Sequence, residues 1–507
     1  IGVRLVGSEM CIRDRYIIFG CISIFSLFNV QCSFLDEKPI DRLVVDNFYT
    51  SQKDAQAAVD ATYQQLNSIY SRCMYMLCDL TCDGMKNGLG MPNAFLQNLE
   101  FLRHTPENTF IRDMWQNNYS GIMKANAAIN NIPSVTMNPD LQKRFIAEAK
   151  FLRALYYFNL VRFFGDVPLV TQLETIDDAM GPRVAKEQIY EQILSDLTDA
   201  ESALPYPSEY GTTDIGRATK GAAKILAGKV YLTKGDYSKA KEKLAEVVEQ
   251  EGAYGYGLHV EYGDNWNLDT EAGKEAVFYI EYKADPLPHN DEMSLTGPKY
   301  SLPEPIGVSG SNEADIPTME LNNTFKENDK RKAVNLRTHY TNPVNGKELI
   351  SSIPLFGKYW QDGLTAIKFC EINMHIIRYS DALLMYAEAL NEIGESEKAH
   401  QVLNRVRERA FGDSSENYEG LSKDAFRAAV LQERYLEFPI EGHRWFDLVR
   451  TGTFIKRMKE HSTYEAKVAE KNKTDIASNI KDYMILMPIP QRELDLNPEL
   501  TQNPGWS

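Results

Sequence analysis

The sequence predicts an all-α fold, a helical-repeat scaffold carrying long loop-rich insertions and only minor β structure. Three observations predict it. Apolar residues recur at i, i+3 and i+4 through most of the chain, the spacing that puts one apolar stripe on a helix. Two helix–turn–helix stretches align on small residues. Between 250 and 375 the periodicity gives way to Gly, Pro, Asn and Tyr.

Taken in order, the stretch 53–70 carries Ala55, Ala58, Val59, Thr62, Tyr63, Leu66, Ile69 and Tyr70 on one stripe. Stretches 112–132, 141–164, 186–204, 218–232 and 237–249 read the same way. So do 376–392, 396–410 and 422–438, and a further helix starts near Gly442. The one strand-like alternation is at 276–282, and 84–108 forms a second, shorter irregular insertion. Long irregular stretches exceed ordinary loop lengths and commonly carry function. Aligning Gly235 with Gly394 sets Gly228 against Ala387, Ala240 against Ala399, Leu244 against Leu403 and Val247 against Val406. Small residues at these offsets let two antiparallel helices approach closely, with glycine turning between them. That is the tetratricopeptide arrangement. The two copies are too far apart for a tandem array, so insertions interrupt the repeats.

Composition limits the function. The chain has 507 residues, 55 Lys+Arg against 71 Asp+Glu and a formal charge of -16. A 43% apolar and 25% charged composition is that of a globular protein. Phosphate backbones need a basic footprint, so nucleic acid is excluded as a partner. Seven cysteines are too few for a disulfide scaffold of this length. Cys73, Cys78, Cys82 and Cys370 belong to the folded body; the first three are spaced for one helix face and are expected to be buried thiols, with a disulfide or metal site as the alternative.

The N-terminus is a processing segment. An apolar run at 16–30 follows Arg13 and Arg15 and is too short to span a bilayer, which takes about 20 residues. It has the form of a signal-peptide core, so residues 1–31 are assigned to the signal. The run closes on Cys32, which resembles a bacterial lipoprotein processing site, with Cys32 lipidated as the first mature residue. The string 6–15 (VGSEMCIRDR) resembles translated sequencing-adapter read-through, so 1–15 is expected to be non-native.

Six stretches carry a resemblance. They are AEAKFLRALYYFNLVRFFGDVPLV at 147–170, PTMEL…F…DKR at 317–331, IRYSDALLMYAEALN at 377–391, ERYLEF at 433–438, EGHRWFDLVR at 441–450, and LMPIP…NP…QNPGW at 486–506. In this order the chain resembles the SusD/RagB family of outer-membrane nutrient-binding lipoproteins. Asp36-Glu37 after Cys32 also resembles the acidic tag of surface-exposed lipoproteins. The resemblance implies one SusD-like domain over 32–507, with an N-terminal part at about 34–235 and a C-terminal part at about 275–507. It implies four tetratricopeptide-like units, an outward-facing anchor in the outer membrane, and a SusC-like TonB-dependent transporter as partner. The ligand would be an oligosaccharide or a peptide, and no bond would be made or broken. Glu148, Arg153, Arg444, Asp447, Arg450, Trp445 and Trp506 lie in these motifs and read as scaffold.

Sugar recognition needs flat apolar faces and planar polar side chains. The 84–104 insertion and the turn before it offer Asp83, Lys86, Asn87, Phe95, Asn98 and Arg103. The middle region offers Trp266 and Asn267, with a loop anchor plugged into the core as the plainer reading of Trp266. Catalysis reads poorly, because the chain has no HExxH, GxSxG or phosphate-cradling glycine loop. Two other readings are carried: a periplasmic tetratricopeptide adaptor and, less favoured, a helical glycoside hydrolase. No cofactor is expected. Calcium in the loops fits the resemblance, although no EF-hand spacing occurs.

Overall fold

A computed structural model describes residues 48–71, 73–88, 93–172, 180–284, 288–298, 311–341, 346–364, 366–468 and 476–506. The signal segment and Cys32 lie outside these residues. From Tyr49 onward the chain gathers into one compact unit. Helix accounts for 57% and strand for 8%, so the all-α expectation holds.

The scaffold begins with α1 (Gln52–Tyr70), opened by a capping box in which Ser51 and Asp54 satisfy each other's backbone N–H. A short α2 (Cys73–Cys78) and α3 (Ala94–Glu100) follow. Then come α4 (Thr109–Asn131), α5 (Pro139–Phe164), α6 (Lys186–Ala203), α7 (Lys220–Lys234) and α8 (Tyr237–Val248). Each of the helices from α4 to α8 packs on the next. The C-terminal part adds α9 (Tyr379–Glu392), α10 (Ser396–Phe411), α11 (Lys423–Glu437), α12 (Arg444–Arg450) and α13 (Phe454–Val468). α9 packs on α8, joining the two parts.

The aligned repeats are the hairpins α7–α8 and α9–α10. Gly235 and Gly394 make their turns at φ of 75° and 89°, where a side chain would be strained. A Cβ on Gly228 would sit 2.6 Å from Leu244 Cγ, so only glycine allows this approach. Leu244, Val247, Leu403 and Val406 are fully buried. The four body cysteines are buried, as expected, although α2 ends at Cys78 and leaves Cys82 in the turn beyond it.

Among the described residues, three two-stranded antiparallel sheets serve the loop regions. β1 (Met85–Asn87) pairs with β3 (Asp315–Pro317), β2 (Ala276–Ile280) with β6 (Met374–Arg378), and β4 (Leu336–Thr341) with β5 (Glu348–Phe356). The expected helix from 376 starts instead at Tyr379. Ile376, Ile377 and Arg378 belong to β6, where β-branched residues gain a ladder on β2 with Phe278 opposite Ile377. The insertion read as irregular also has structure, in β1 and α3.

Beneath the loop regions the interior is held by charge. Arg331 meets Asp329, Glu433 and Glu437 at 2.7, 2.6 and 3.1 Å. Arg378 meets Glu275, Glu437 and Glu441 at 2.7–2.9 Å. Arg409 adds Glu275 and Glu437, Arg407 adds Glu433, and Lys358 adds Glu441. Five cations face five carboxylates, each side chain 5% exposed or less. Burial raises a carboxyl and lowers an amine, so only this matched pairing keeps both charged.

Candidate ligand-binding site

The insertion is clamped at its base. Asp83 is fully buried; Arg444 grips its carboxylate at 2.8 and 2.7 Å, and Arg457 adds a bond at 2.5 Å. Burial alone would raise this carboxyl, but the two guanidiniums reverse the sign and hold it well below the usual range. The Asp83 carbonyl accepts from Thr318 and Tyr435. Asp83, expected at the ligand, is therefore a corrected assignment: it has no face left for one.

Past the clamp, β1 pairs with β3, Lys86 lying opposite Ile316 and Asn87 opposite Asp315. Gly88 follows, where a Cβ would sit 2.2 Å from the Glu313 carbonyl oxygen. Asn87 donates its N–H to Glu100 at 3.2 Å and its amide to the Ala314 carbonyl at 2.9 Å. Burial raises the Glu100 carboxyl to about 7 against the opposing pull of Asn87 and Lys86. Asn93 caps α3 by accepting from Phe95 and Leu96 N–H. Leu96 and Leu99 face inward, which turns Phe95 and Asn98 outward together at i, i+3. Phe95 is 37% exposed, Asn98 half-buried. Lys86, Asn87, Phe95 and Asn98 thus share the β1–α3 unit. Arg103, exposed past the end of α3, lies over the Phe101 ring.

Trp266 is elsewhere. It is 7% exposed, packed on the Tyr262 and His375 rings, with Lys358 and Arg378 over its face. It is the loop anchor of the plainer reading, wedged against the charge network. Exposed Asn267 caps the next turn by accepting from Asp269 N–H at 3.0 Å.

A cleft of about 300 Å³ between α1 and β2 was not foreseen. Tyr63, Tyr279 and Tyr282 line it with Asn67, Gln64 and Arg217. Tyr282 donates to Asn67 at 2.7 Å, and Arg217 is spent on Asp60, Glu148 and Asp214. Tyr63 had read as core of the α1 stripe. The readable signal was the number of tyrosines, 27.

The scaffold motifs do as expected. Arg444 bridges to Asp83; Arg434 and Arg450 share Asp447, and Arg450 reaches Glu388. Arg153 grips Asp196, and Glu148 takes Arg144 and Arg217. Trp445 is fully buried, and Trp506 donates to the Leu486 carbonyl. Among the described residues no group of three or more His, Cys, Asp or Glu side chains is placed to hold a metal ion.

A family model described as the SusD family matches residues 258–506, and one described as starch-binding, associating with outer membrane, matches 33–232. The chain belongs to the SusD family. Over 97% of this chain and 98% of its own length, SusD-like protein P25 of Formosa agariphila is 28% identical. The starch-binding protein SusD of Bacteroides thetaiotaomicron is 22% identical over 76% of each chain. A solved laminarin-binding SusD-like protein is 26% identical with a TM-score of 0.75, covering 90% of this chain and all of that one. A SusD homologue from B. thetaiotaomicron reaches 0.78 at 25% identity, covering 92% and 99%. This SusD-family chain shows, among its described residues, no helix long and apolar enough to cross a membrane.

Proposed function

We propose that this chain is a lipid-anchored protein on the outer face of the outer membrane. It captures an oligosaccharide and delivers it to a SusC-like TonB-dependent transporter without making or breaking a bond. The observation that carries this reading is the end-to-end likeness to a laminarin-binding SusD-like protein. Cys32 supplies the anchor. The scaffold gives a rigid body, and the insertion gives the capture face.

Two places offer aromatic faces to a sugar. In the tyrosine cleft Tyr279 and Tyr282 are 8% and 1% exposed, while Phe95 is open at 37%. An open ring beside Lys86, Asn87 and Asn98 supplies both the stacking surface and the hydrogen-bonding edges that a pyranose requires. The insertion is therefore the capture face.

The test is an affinity screen of the purified chain against a polysaccharide panel and a peptide mixture, with product analysis in the same tubes. Saturable binding to one glycan class without cleavage is the expected result. Phe95→Ala should weaken it by about 1–3 kcal/mol, the range for an exposed aromatic anchor. Cleavage products would place the chain among enzymes, and an unchanged affinity in Phe95→Ala would move the site off the insertion.

A further inference from the structure

A cavity of about 540 Å³ lies at the C-terminal ends of α5 and α12 and the start of α6, walled on one side by residues 501–504. Its charge is out of keeping with the rest of the molecule. The chain carries -16 overall, and each buried arginine (Arg153, Arg331, Arg378, Arg407, Arg409, Arg434 and Arg444) is paired with a carboxylate. The cavity holds Arg162, Arg183 and Lys186, and none of the three has an ion-pair partner among the described residues. The carboxylate in the lining, Asp166, accepts the Lys186 backbone N–H at 2.9 Å. Arg450 also lines the cavity but is spent on Glu388 and Asp447.

The two guanidiniums are held by neutral groups. Arg162 lies between the Phe158 and Phe446 rings, its carbon 4.0 and 3.6 Å from their centroids. It donates to the Phe158 carbonyl and to Asn159 Oδ1, so three of its five N–H groups have no hydrogen-bond partner among the described residues. Arg183 donates to the carbonyls of Asp166, Thr501 and Phe164 and to Asn503 Oδ1, so one N–H is left without a partner among the described residues. Burial pushes both below the ordinary arginine range, yet a guanidinium stays charged at any neutral pH. Arg183 is half-buried and feels the Asp166 carboxylate beside it, whereas Arg162 is held between two rings, where a charge is costly until an anion meets it. The rest of the wall is mostly apolar, from Val161, Phe446 and Leu486, with hydroxyl and amide edges at Thr233 and Gln502.

We infer that this cavity is a second ligand site, taking a carboxylate-bearing sugar of one or two rings. The carboxylate meets Arg162 and Arg183, Lys186 closes the mouth, and the ring lies on the apolar wall. The volume is inside the range of about 300–1,000 Å³ usual for small-ligand pockets. The inference stands independently of the capture face on the insertion.

Calorimetric titration of the purified chain with D-glucuronate tests it, with D-glucose and inorganic sulfate as controls. Saturable glucuronate binding is expected, with none for glucose. Charge-assisted bonds of this kind make Arg183→Gln and Lys186→Glu each about tenfold weaker or more. Phe95→Ala should bind glucuronate like the wild type. Lys186 is exposed, so Lys186→Glu carries the test should Arg183→Gln fail to fold. The proposal is overturned by the absence of saturable binding, by sulfate binding as well as glucuronate, or by a Lys186→Glu affinity equal to wild type.

Discussion

The hairpin α7–α8 and the interior beneath the loop regions are equally buried, yet they are held together by opposite means. In the hairpin, Leu244 and Val247 fill the space left by Gly228, and shape complementarity does the stabilising. Under the loops, ten charged side chains neutralise one another. Regular helices present continuous apolar stripes, so they can cohere without polar contacts. Loops and two-stranded sheets present no such stripe. Their many backbone polar groups and irregular surfaces are fixed by directional pairs whose removal is felt more than their presence.

The largest way to break that contrast is Glu437→Ala. It strips a carboxylate from Arg331, Arg378 and Arg409 at once. Leaving buried charge uncompensated costs about 3–5 kcal/mol. Denaturant unfolding should show this loss, and one under about 1 kcal/mol would mean the network relaxes freely. Leu244→Ala should cost about 2–5 kcal/mol through a cavity, and this loss should be insensitive to pH between 4 and 8. A pH-dependent loss would show that the apolar contact is coupled to the Lys224–Glu246 ion pair at the rim of the hairpin.

The smallest effect is a slope. Asp79 accepts from Gly442 N–H, and burial raises its carboxyl from 3.8 to about 7. The folded state therefore holds the proton more tightly than the unfolded chain. The resulting stability is complete below pH about 4 and is lost as pH rises through 7. Glu271, raised by burial to about 7, acts in the same direction. Glu441 and Asp447 act in the other. Burial would raise them, but Arg378 with Lys358, and Arg434 with Arg450, hold them at about 2. Their contribution is present above the ordinary carboxylate range and is lost as pH falls through 2. Asp79→Asn should thus flatten the decline in melting temperature between pH 4 and 7. Equal slopes in the two proteins would remove Asp79 as a contributor.

What the sequence made legible follows the same division. Periodicity placed the scaffold helices closely, 186–204 against Lys186–Ala203 for example, because the stripe and the core it faces are local facts. It misjudged 376–378, where three residues suited to either element were decided by a partner strand about a hundred residues away. At the site, Lys86, Asn87, Phe95 and Asn98 come together because β1 and α3 are near neighbours in the chain. Asp83 looked like a loop carboxylate open to water, but its partner Arg444 lies 361 residues further on. Trp266 was likewise claimed by Lys358 and Arg378, about a hundred residues further along the chain. That Arg162 and Arg183 form no ion pair among the described residues was illegible, since it depends on where every carboxylate of the fold comes to lie.

The C-terminal tail has a consequence for biogenesis. Met487 N–H donates to the Phe163 carbonyl, Gln491 N–H to that of Pro106, and the Asn503 amide to that of Phe164. These residues thus close the ends of α4 and α5, helices more than 300 residues earlier in the chain. Contacts of such sequence separation slow folding and cannot form on a nascent chain. The N-terminal helices therefore complete their packing only once the segment around 487–503 has joined them.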